Sequence, residues 1–190
     1  SPGSGNGGEK AYSGLFPWIC VDDTINTCNF SNITIKASYA KGYHYAAALI
    51  GFADSSGANR NINITNVKVE GCYINADDLN SACNRTAALF VGFAQHCKVT
   101  VDSCVAIDNV VYATDIKGGF VGNSSLYANS GVFKNSVVIG STAYPILQTG
   151  SSKTIQSFIK SPSNYSNIYT DQTVASEYKG YNTKVAADDM

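Results

Sequence analysis

A short apolar motif that ends in glycine recurs along this chain and constrains its fold more than any other feature. It reads AALIGF at residues 47–52, ALFVGF at 88–93 and GGFVGN at 118–123, with a degenerate copy, SGLFPW, at 13–18. A unit of about 30 to 41 residues cannot bury its apolar face alone, and it gains a core by stacking on its neighbours. The sequence therefore predicts one body built from stacked units.

Each copy is followed by a second apolar element, and these elements read FSNITI from Phe30, ITNVKV from Ile64, VDSCVA from Val101 and FKNSVV from Phe133. The alternation of apolar and polar residues changes phase once inside each element. Because successive side chains of a strand point to opposite faces, a change of phase requires a corner. Asparagine tolerates the left-handed backbone of such a bend. We expect a polar ladder of stacked corner residues, formed by Asn32, Asn66, Ser103 and Asn135. Ordinary loop asparagines are the alternative.

The fold class that this pattern predicts is all-β, a β-solenoid of about four irregular repeat units that resembles a parallel β-helix. No sustained apolar pattern has a helical period. We expect a flexible N-terminal segment at 1–12, the repeat solenoid at 13–150, and an irregular C-terminal tail or connector to further sequence at 151–190.

The six cysteines are an even set that falls into three pairs along the chain, which indicates local disulfides and an oxidising compartment. The expected bridges are Cys20–Cys28, Cys72–Cys83 and Cys97–Cys104. Six cysteines permit 15 pairings, and two alternatives remain open. One is zinc binding, which no Cys-x2-Cys unit supports. The other is buried free thiols that act as small apolar residues.

The amino-acid composition limits which classes of partner and which cellular location are expected for this chain. Only 14% of the residues are charged, the formal net charge is -1, and no cluster of Lys or Arg is present, so nucleic acid is not expected as a partner. No apolar stretch approaches the roughly 20 residues that span a bilayer, so no membrane insertion is expected. A neutral chain rich in hydroxyl and amide groups is typical of secreted or cell-surface β proteins. The expected partners are a protein or glycan at a cell surface, or copies of the chain itself.

No constellation in the sequence predicts chemistry, so we expect no catalytic residue, no metal site and no cofactor. The GGFVGN stretch lacks the spacing of a dinucleotide loop and leads into a strand. The repeat glycines Gly51, Gly92 and Gly122 are interpreted instead as coil-corner residues where neighbouring backbones approach closely. In the first copy Pro17 stands where the other copies carry glycine.

The closest copy, residues 118–140 with GGFVGN and KNSVVIG, resembles the GLUG repeat of bacterial surface proteins, and the resemblance extends more weakly over 13–140. It implies a non-catalytic extracellular or cell-surface module with a structural or adhesive role, and it brings no catalytic residue to this chain. Two alternatives are a self-assembling subunit of an extracellular filament and a β-solenoid that binds or cleaves carbohydrate.

Overall fold

The described part of the chain is built from β-strands alone. The computed structural model describes residues 12–21, 26–55, 60–76, 85–113, 116–118, 120–124, 132–145, 164–170 and 183–184, and these contain 21 strands and no helix. The strands pair in parallel and stack in successive coils. This confirms the all-β, parallel β-solenoid fold predicted from the repeats.

Four coils make up the body of the solenoid. The strands of coil 1 are β1 (Tyr12–Ser13), β2 (Phe16–Val21), β3 (Thr27–Ser31), β4 (Thr34–Lys36) and β5 (Tyr39–Gly42). Those of coil 2 are β6 (Tyr45–Ala47), β7 (Ile50–Ser55), β8 (Arg60–Thr65), β9 (Lys68–Glu70) and β10 (Tyr73–Ala76). Those of coil 3 are β11 (Thr86–Ala88), β12 (Val91–Ala94), β13 (Cys97–Asp102), β14 (Val105–Ile107) and β15 (Val110–Ala113). Those of coil 4 are β16 (Ile116–Gly118), β17 (Val121–Ser124), β18 (Val132–Ile139) and β19 (Thr142–Pro145).

Equivalent strands of successive coils form four parallel sheets along the solenoid. Sheet I contains β1, β6, β11 and β16, and sheet II contains β2, β7, β12 and β17. Sheet III contains β3, β8 and β13 together with β4, β9 and β14, and both sets join the long strand β18. Sheet IV contains β5, β10, β15 and β19.

The strand register places the equivalent repeat positions on top of one another. Phe30, Ile64, Val101 and Phe133 are paired in sequence through β3, β8, β13 and β18. The last three of these side chains are almost completely buried. The periodic apolar residues therefore form continuous columns through the interior, and each coil covers the apolar face of the next.

Two described segments of the C-terminal part lie in the stack. Strand β20 (Asn164–Thr170) pairs in parallel with β18, and β21 (Thr183–Lys184) pairs with β20. Of the expected C-terminal tail or connector at 151–190, these two strands are the described part, and the other residues lie outside the described ranges. The N-terminal segment 1–11 lies outside the described residues. Within the described ranges there is no helix of the length and hydrophobicity that crossing a bilayer would require.

Candidate functional site

The candidate residues of the corner between the two halves of sheet III lie in one column, which we call the Asn corner. Asn32, Asn66, Ser103 and Asn135 have φ angles of 58°, 53°, 55° and 51°, the left-handed conformation that asparagine tolerates best after glycine. The Asn66 amide Nδ2 donates to Asn32 Oδ1 at 2.8 Å. Asn167 in β20 has a φ of 52° and donates in the same way to Asn135 Oδ1 at 3.0 Å. Each of these amides thus donates to the preceding coil.

Coil 3 departs from the expected ladder because Asp102, and not its neighbour Ser103, accepts the hydrogen bond from coil 4. Asn135 Nδ2 donates to Asp102 Oδ1 at 3.0 Å, and Ser103 Oγ donates to the same oxygen at 3.0 Å. The Lys134 ammonium lies 3.1 Å from the other oxygen of Asp102. The Asn135 hydrogen bond is the main reason that the pKa of Asp102 is held below its ordinary value. Ser103 is too short to reach the next coil, so the carboxylate takes its place.

The repeat glycines lie inside strands of sheet II, where they allow the backbones of neighbouring coils to approach closely. They do not form left-handed turns. Gly51, Gly92 and Gly122 belong to β7, β12 and β17, and the described glycines with positive φ are Gly71 and Gly140 instead. A Cβ at Gly92 would lie 2.6 Å from Gly51 O, and a Cβ at Gly122 would lie 2.5 Å from Gly92 O. Each position therefore faces the backbone of the preceding coil and has no room for a side chain.

The three buried cysteines share one local environment that the sequence reading did not identify. Cys72, Cys97 and Cys104 each follow directly after a residue with positive φ, namely Gly71, His96 and Ser103. Each thiol lies near the carbonyl oxygen two residues before it, at 3.5, 3.1 and 3.3 Å. In coil 4 the position equivalent to Cys104 is a serine, and Ser136 Oγ donates to Lys134 O at 2.7 Å. The thiols therefore act like serine hydroxyls, since they satisfy a carbonyl at a corner.

The disulfides expected from the sequence are not formed among the described cysteines. No disulfide joins any two of Cys20, Cys28, Cys72, Cys97 and Cys104, and Cys83 lies outside the described residues. Cys97 and Cys104 are both buried, but Cys97 begins β13 and Cys104 lies two residues beyond the end of that strand. At about 3.3 Å per residue this strand separates their Cα atoms by more than about 15 Å, and a disulfide requires less than about 7 Å. Strand parity therefore predicts the inward orientation of both thiols, while the length of the strand prevents the Cys97–Cys104 bridge.

A second, interior polar network centres on Asn109, which is completely buried. Its Oδ1 accepts the Cys72 N–H at 2.9 Å, and its Nδ2 donates to Val69 O at 3.0 Å and to Ser141 Oγ at 3.3 Å. One side chain thus joins coils 2, 3 and 4 behind a second column of left-handed residues, which consists of Ala37, Gly71, Asp108 and Gly140. This column has no common residue type, so no motif in the sequence identified it.

The described carboxylates Glu70 and Asp54 lie beside basic side chains of the same sheet region. Glu70 contacts Lys68 at 2.9 Å and Lys36 at 3.2 Å, and these two lysines, Lys68 first, hold the pKa of Glu70 below its ordinary value. Asp54 Oδ1 lies 3.7 Å from Nδ1 of His96. No group of three or more His, Cys, Asp or Glu side chains is placed to hold a metal ion in the part of the chain that the structure describes.

Burial of the thiols predicts a loss of stability at alkaline pH. Desolvation raises the pKa of Cys97 to about 12 and that of Cys104 to about 11, against about 8.5 in an unfolded chain. Above pH 8.5 the unfolded state loses protons that the folded state keeps. The free energy of unfolding should then fall by up to about 1.4 kcal/mol per pH unit for each thiol. The free energy of unfolding keeps its full value below pH 8.5, and it decreases progressively as the pH rises toward 11.

Urea unfolding between pH 7.5 and 9.5, in the presence of a reductant, measures this slope. Cys104→Ser should remove the share of Cys104, because serine already occupies the equivalent position at Ser136. Asn29→Ala, at an exposed amide that does not titrate, is the control and should leave the slope unchanged. An identical slope in Cys104→Ser and the unsubstituted protein would contradict the prediction.

Comparison of the chain with protein-family models, with curated proteins and with solved structures finds no match.

Proposed function

We propose that this chain is a non-catalytic β-solenoid module of an extracellular or cell-surface protein, with a structural or adhesive role and built from GLUG-like repeats. The observation that carries the proposal is how the polar side chains are used. The amides of Asn66 and Asn167, the Asp102–Lys134 pair and the His96–Asp54 pair all connect adjacent coils. Groups that could perform chemistry hold the stack together instead.

The arrangement of the carboxylates supports a non-catalytic role. Glycoside hydrolysis needs two carboxyl groups across the scissile bond, one of them with a raised pKa. Here the pKa values of Glu70 and Asp102 are both lowered by neighbouring lysines or amides, which keeps both groups ionised and unable to act as general acids near neutral pH. Both are also bonded to side chains that would compete with a substrate.

The rigidity of the stack supports a structural or adhesive role. Parallel pairing joins each of the four coils to the next in all four sheets, and buried apolar columns fill the space between them. A body of this kind keeps its shape over its whole length, and it can hold a ligand-binding segment at a fixed distance from a surface.

The proposal is tested with the purified protein on a panel of polysaccharides and on cell surfaces. We expect no release of reducing ends and specific retention of protein-coated beads on at least one glycan or cell surface. If cleavage is observed, Asp54→Asn tests whether the carboxylate beside the His96 imidazole is responsible for it. Polysaccharide cleavage that Asp54→Asn abolishes would overturn the non-catalytic assignment. Absence of retention on every surface would overturn the adhesive role and leave the structural one.

A further inference from the structure

Strand β13 holds Cys97 and Cys104 apart in the middle of the solenoid. Cys97 begins the strand, and Cys104 lies two residues beyond its end. Every residue from Cys97 to Asp102 is in register with a residue of β8, and the end of the strand also pairs with β18. At about 3.3 Å per residue, the two Cα atoms stay more than about 15 Å apart for as long as these ladders are formed.

The same two thiols meet easily once the chain unfolds. Only residues 98–103 separate Cys97 from Cys104, and none of them is proline. A flexible loop of about ten residues closes within about 10–100 ns, and the entropic cost of closing so short a loop is small. A disulfide requires Cα atoms within about 7 Å of each other. The unfolded segment can reach that distance and the extended strand cannot.

A bridge between these two cysteines would remove coil 3 from the stack. The strand would have to bend back on itself, which breaks its ladder with β8 and its pairing with β18. Cys104 is also bound to coil 4, because its N–H donates to Ser136 Oγ at 3.0 Å and its carbonyl accepts the Val137 N–H at 3.0 Å. Each coil of a solenoid is held by its neighbours alone, so loss of coil 3 separates coil 2 from coil 4. The bridge and the fold therefore exclude each other.

The fold in turn protects both thiols from oxidation. Cys97 and Cys104 are completely buried. Burial also raises the pKa of each thiol, which keeps the reactive thiolate scarce. An oxidant therefore reaches them only when coil 3 opens. A chain that folds before it meets an oxidant stays reduced, whereas a chain that is oxidised first cannot fold.

We propose that Cys97 and Cys104 form a redox switch on folding, in which the chain builds the solenoid only while both are thiols and a Cys97–Cys104 disulfide keeps it unfolded. The oxidant is a small-molecule disulfide. One cysteine thiolate attacks it, breaks its S–S bond, forms a mixed disulfide and releases one small thiol. The second cysteine then attacks the mixed disulfide and releases the other small thiol. The two cysteine protons end on the two released thiols, and the two electrons reduce the small disulfide.

This switch makes the order of events decide the outcome in an oxidising compartment. Folding first gives a solenoid whose thiols are protected, and oxidation first gives a chain that needs a dithiol reductant before it can fold. The inference does not depend on the adhesive role, because it concerns only how the chain reaches its fold.

The test uses a full-length chain that keeps only these two cysteines. The other four are removed by the substitutions Cys20→Ser, Cys28→Ser, Cys72→Ser and Cys83→Ser. The chain is oxidised in urea, at low protein concentration, with the azo compound diamide, which takes up two electrons and two protons and leaves no adduct. After dilution into buffer, less than about one tenth of the bridged chain should regain the circular dichroism and protease resistance of the reduced chain. Dithiothreitol should restore both.

Two controls separate the bridge from other effects of oxidation. Adding Cys104→Ser to the same chain leaves one thiol, so diamide treatment in urea should not reduce the fraction that folds. Serine suits this site because Ser136 occupies the equivalent position in coil 4. The second control treats the two-cysteine chain with diamide after it has folded. Its thiols should be lost at least about tenfold more slowly in buffer than in urea.

The unsubstituted chain gives a second measurement that does not rely on the serine substitutions. After partial oxidation in urea and transfer to buffer, gel filtration separates folded from unfolded chains. Peptide mass spectrometry then locates the disulfides in each fraction. The Cys97–Cys104 bridge should occur in the unfolded fraction alone. If the two-cysteine chain does not fold even when reduced, this measurement decides the question.

Three results would overturn the inference. They are a bridged chain that folds with the unfolding midpoint of the reduced chain, a Cys97–Cys104 bridge in the folded fraction, and an equal loss of folding in the Cys104→Ser control. Equal rates of thiol loss in buffer and in urea would overturn the protective role of the fold. Because none of these measurements involves polysaccharide or a cell surface, failure here is separate from failure of the proposed function.

Discussion

Replacing Gly92 with alanine should destabilise the solenoid by about 3 kcal/mol or more, or prevent folding altogether. The added Cβ would lie 2.6 Å from Gly51 O and 2.9 Å from both N and O of Ala46. All three atoms are backbone atoms of coil 2, so no side chain can rotate away to make room. Relief requires two coils to separate, which would weaken the parallel ladders of sheets I and II on both sides of the substitution. Urea unfolding followed by circular dichroism measures the loss.

Gly71→Ala is the matched control because it tests conformation without crowding. Gly71 has a φ of +62°, and a Cβ there would have as its nearest neighbour Ala37 N at 4.0 Å. Its cost should be the left-handed penalty alone, about 1–2 kcal/mol. Equal losses in Gly92→Ala and Gly71→Ala would show that close approach of the coils is not what requires glycine at position 92.

Replacing Asn109 with alanine should cost about 3 kcal/mol. The substitution removes the acceptor of the Cys72 N–H and a donor to Val69 O. Both backbone groups lie inside the solenoid, where each unsatisfied group costs about 1–3 kcal/mol. The cavity left by the side chain adds to this loss. Urea unfolding at pH 7, where the thiols stay protonated in both states, measures the effect without a contribution from their titration.

The control for Asn109→Ala is an asparagine of the same size whose contacts face solvent. Asn29 is exposed and accepts one hydrogen bond, from Asn63 Nδ2 at 2.9 Å. Water can replace that bond, so Asn29→Ala should cost less than about 1 kcal/mol. A loss in Asn109→Ala no larger than that in Asn29→Ala would indicate that water or a shift of the backbone satisfies Cys72 and Val69.

The sequence was sufficient for the fold because stacking requires the same pattern in every coil. Phe30, Ile64, Val101 and Phe133 could be aligned by their alternation with polar residues, and the observed register pairs these same residues. The Asn corner was visible for the same reason, since three of its four members are chemically identical.

Features that depend on distance or on unlike residues could not be read from the sequence. The second column of left-handed residues contains Ala37 and Asp108 beside two glycines, so it has no common chemistry. Closeness along the chain pairs Cys97 with Cys104, but an extended strand carries the two residues apart. The positive φ of the preceding residue defines the environment that Cys72, Cys97 and Cys104 share, and the amino-acid sequence does not display that angle.

The connection between sheets II and III varies in length while the corners inside sheet III do not. Between β12 and β13 the chain turns through Gln95 and His96 alone, whereas residues 125–131 join β17 to β18. Strands β13 and β18 nevertheless pair in unbroken register, Thr100 with Val132 and Asp102 with Lys134. Sequence can thus be inserted at this edge without disturbing the stack. This edge is therefore the place in each coil where a peptide or a small domain can be inserted while the hydrogen-bonded ladders on either side stay intact.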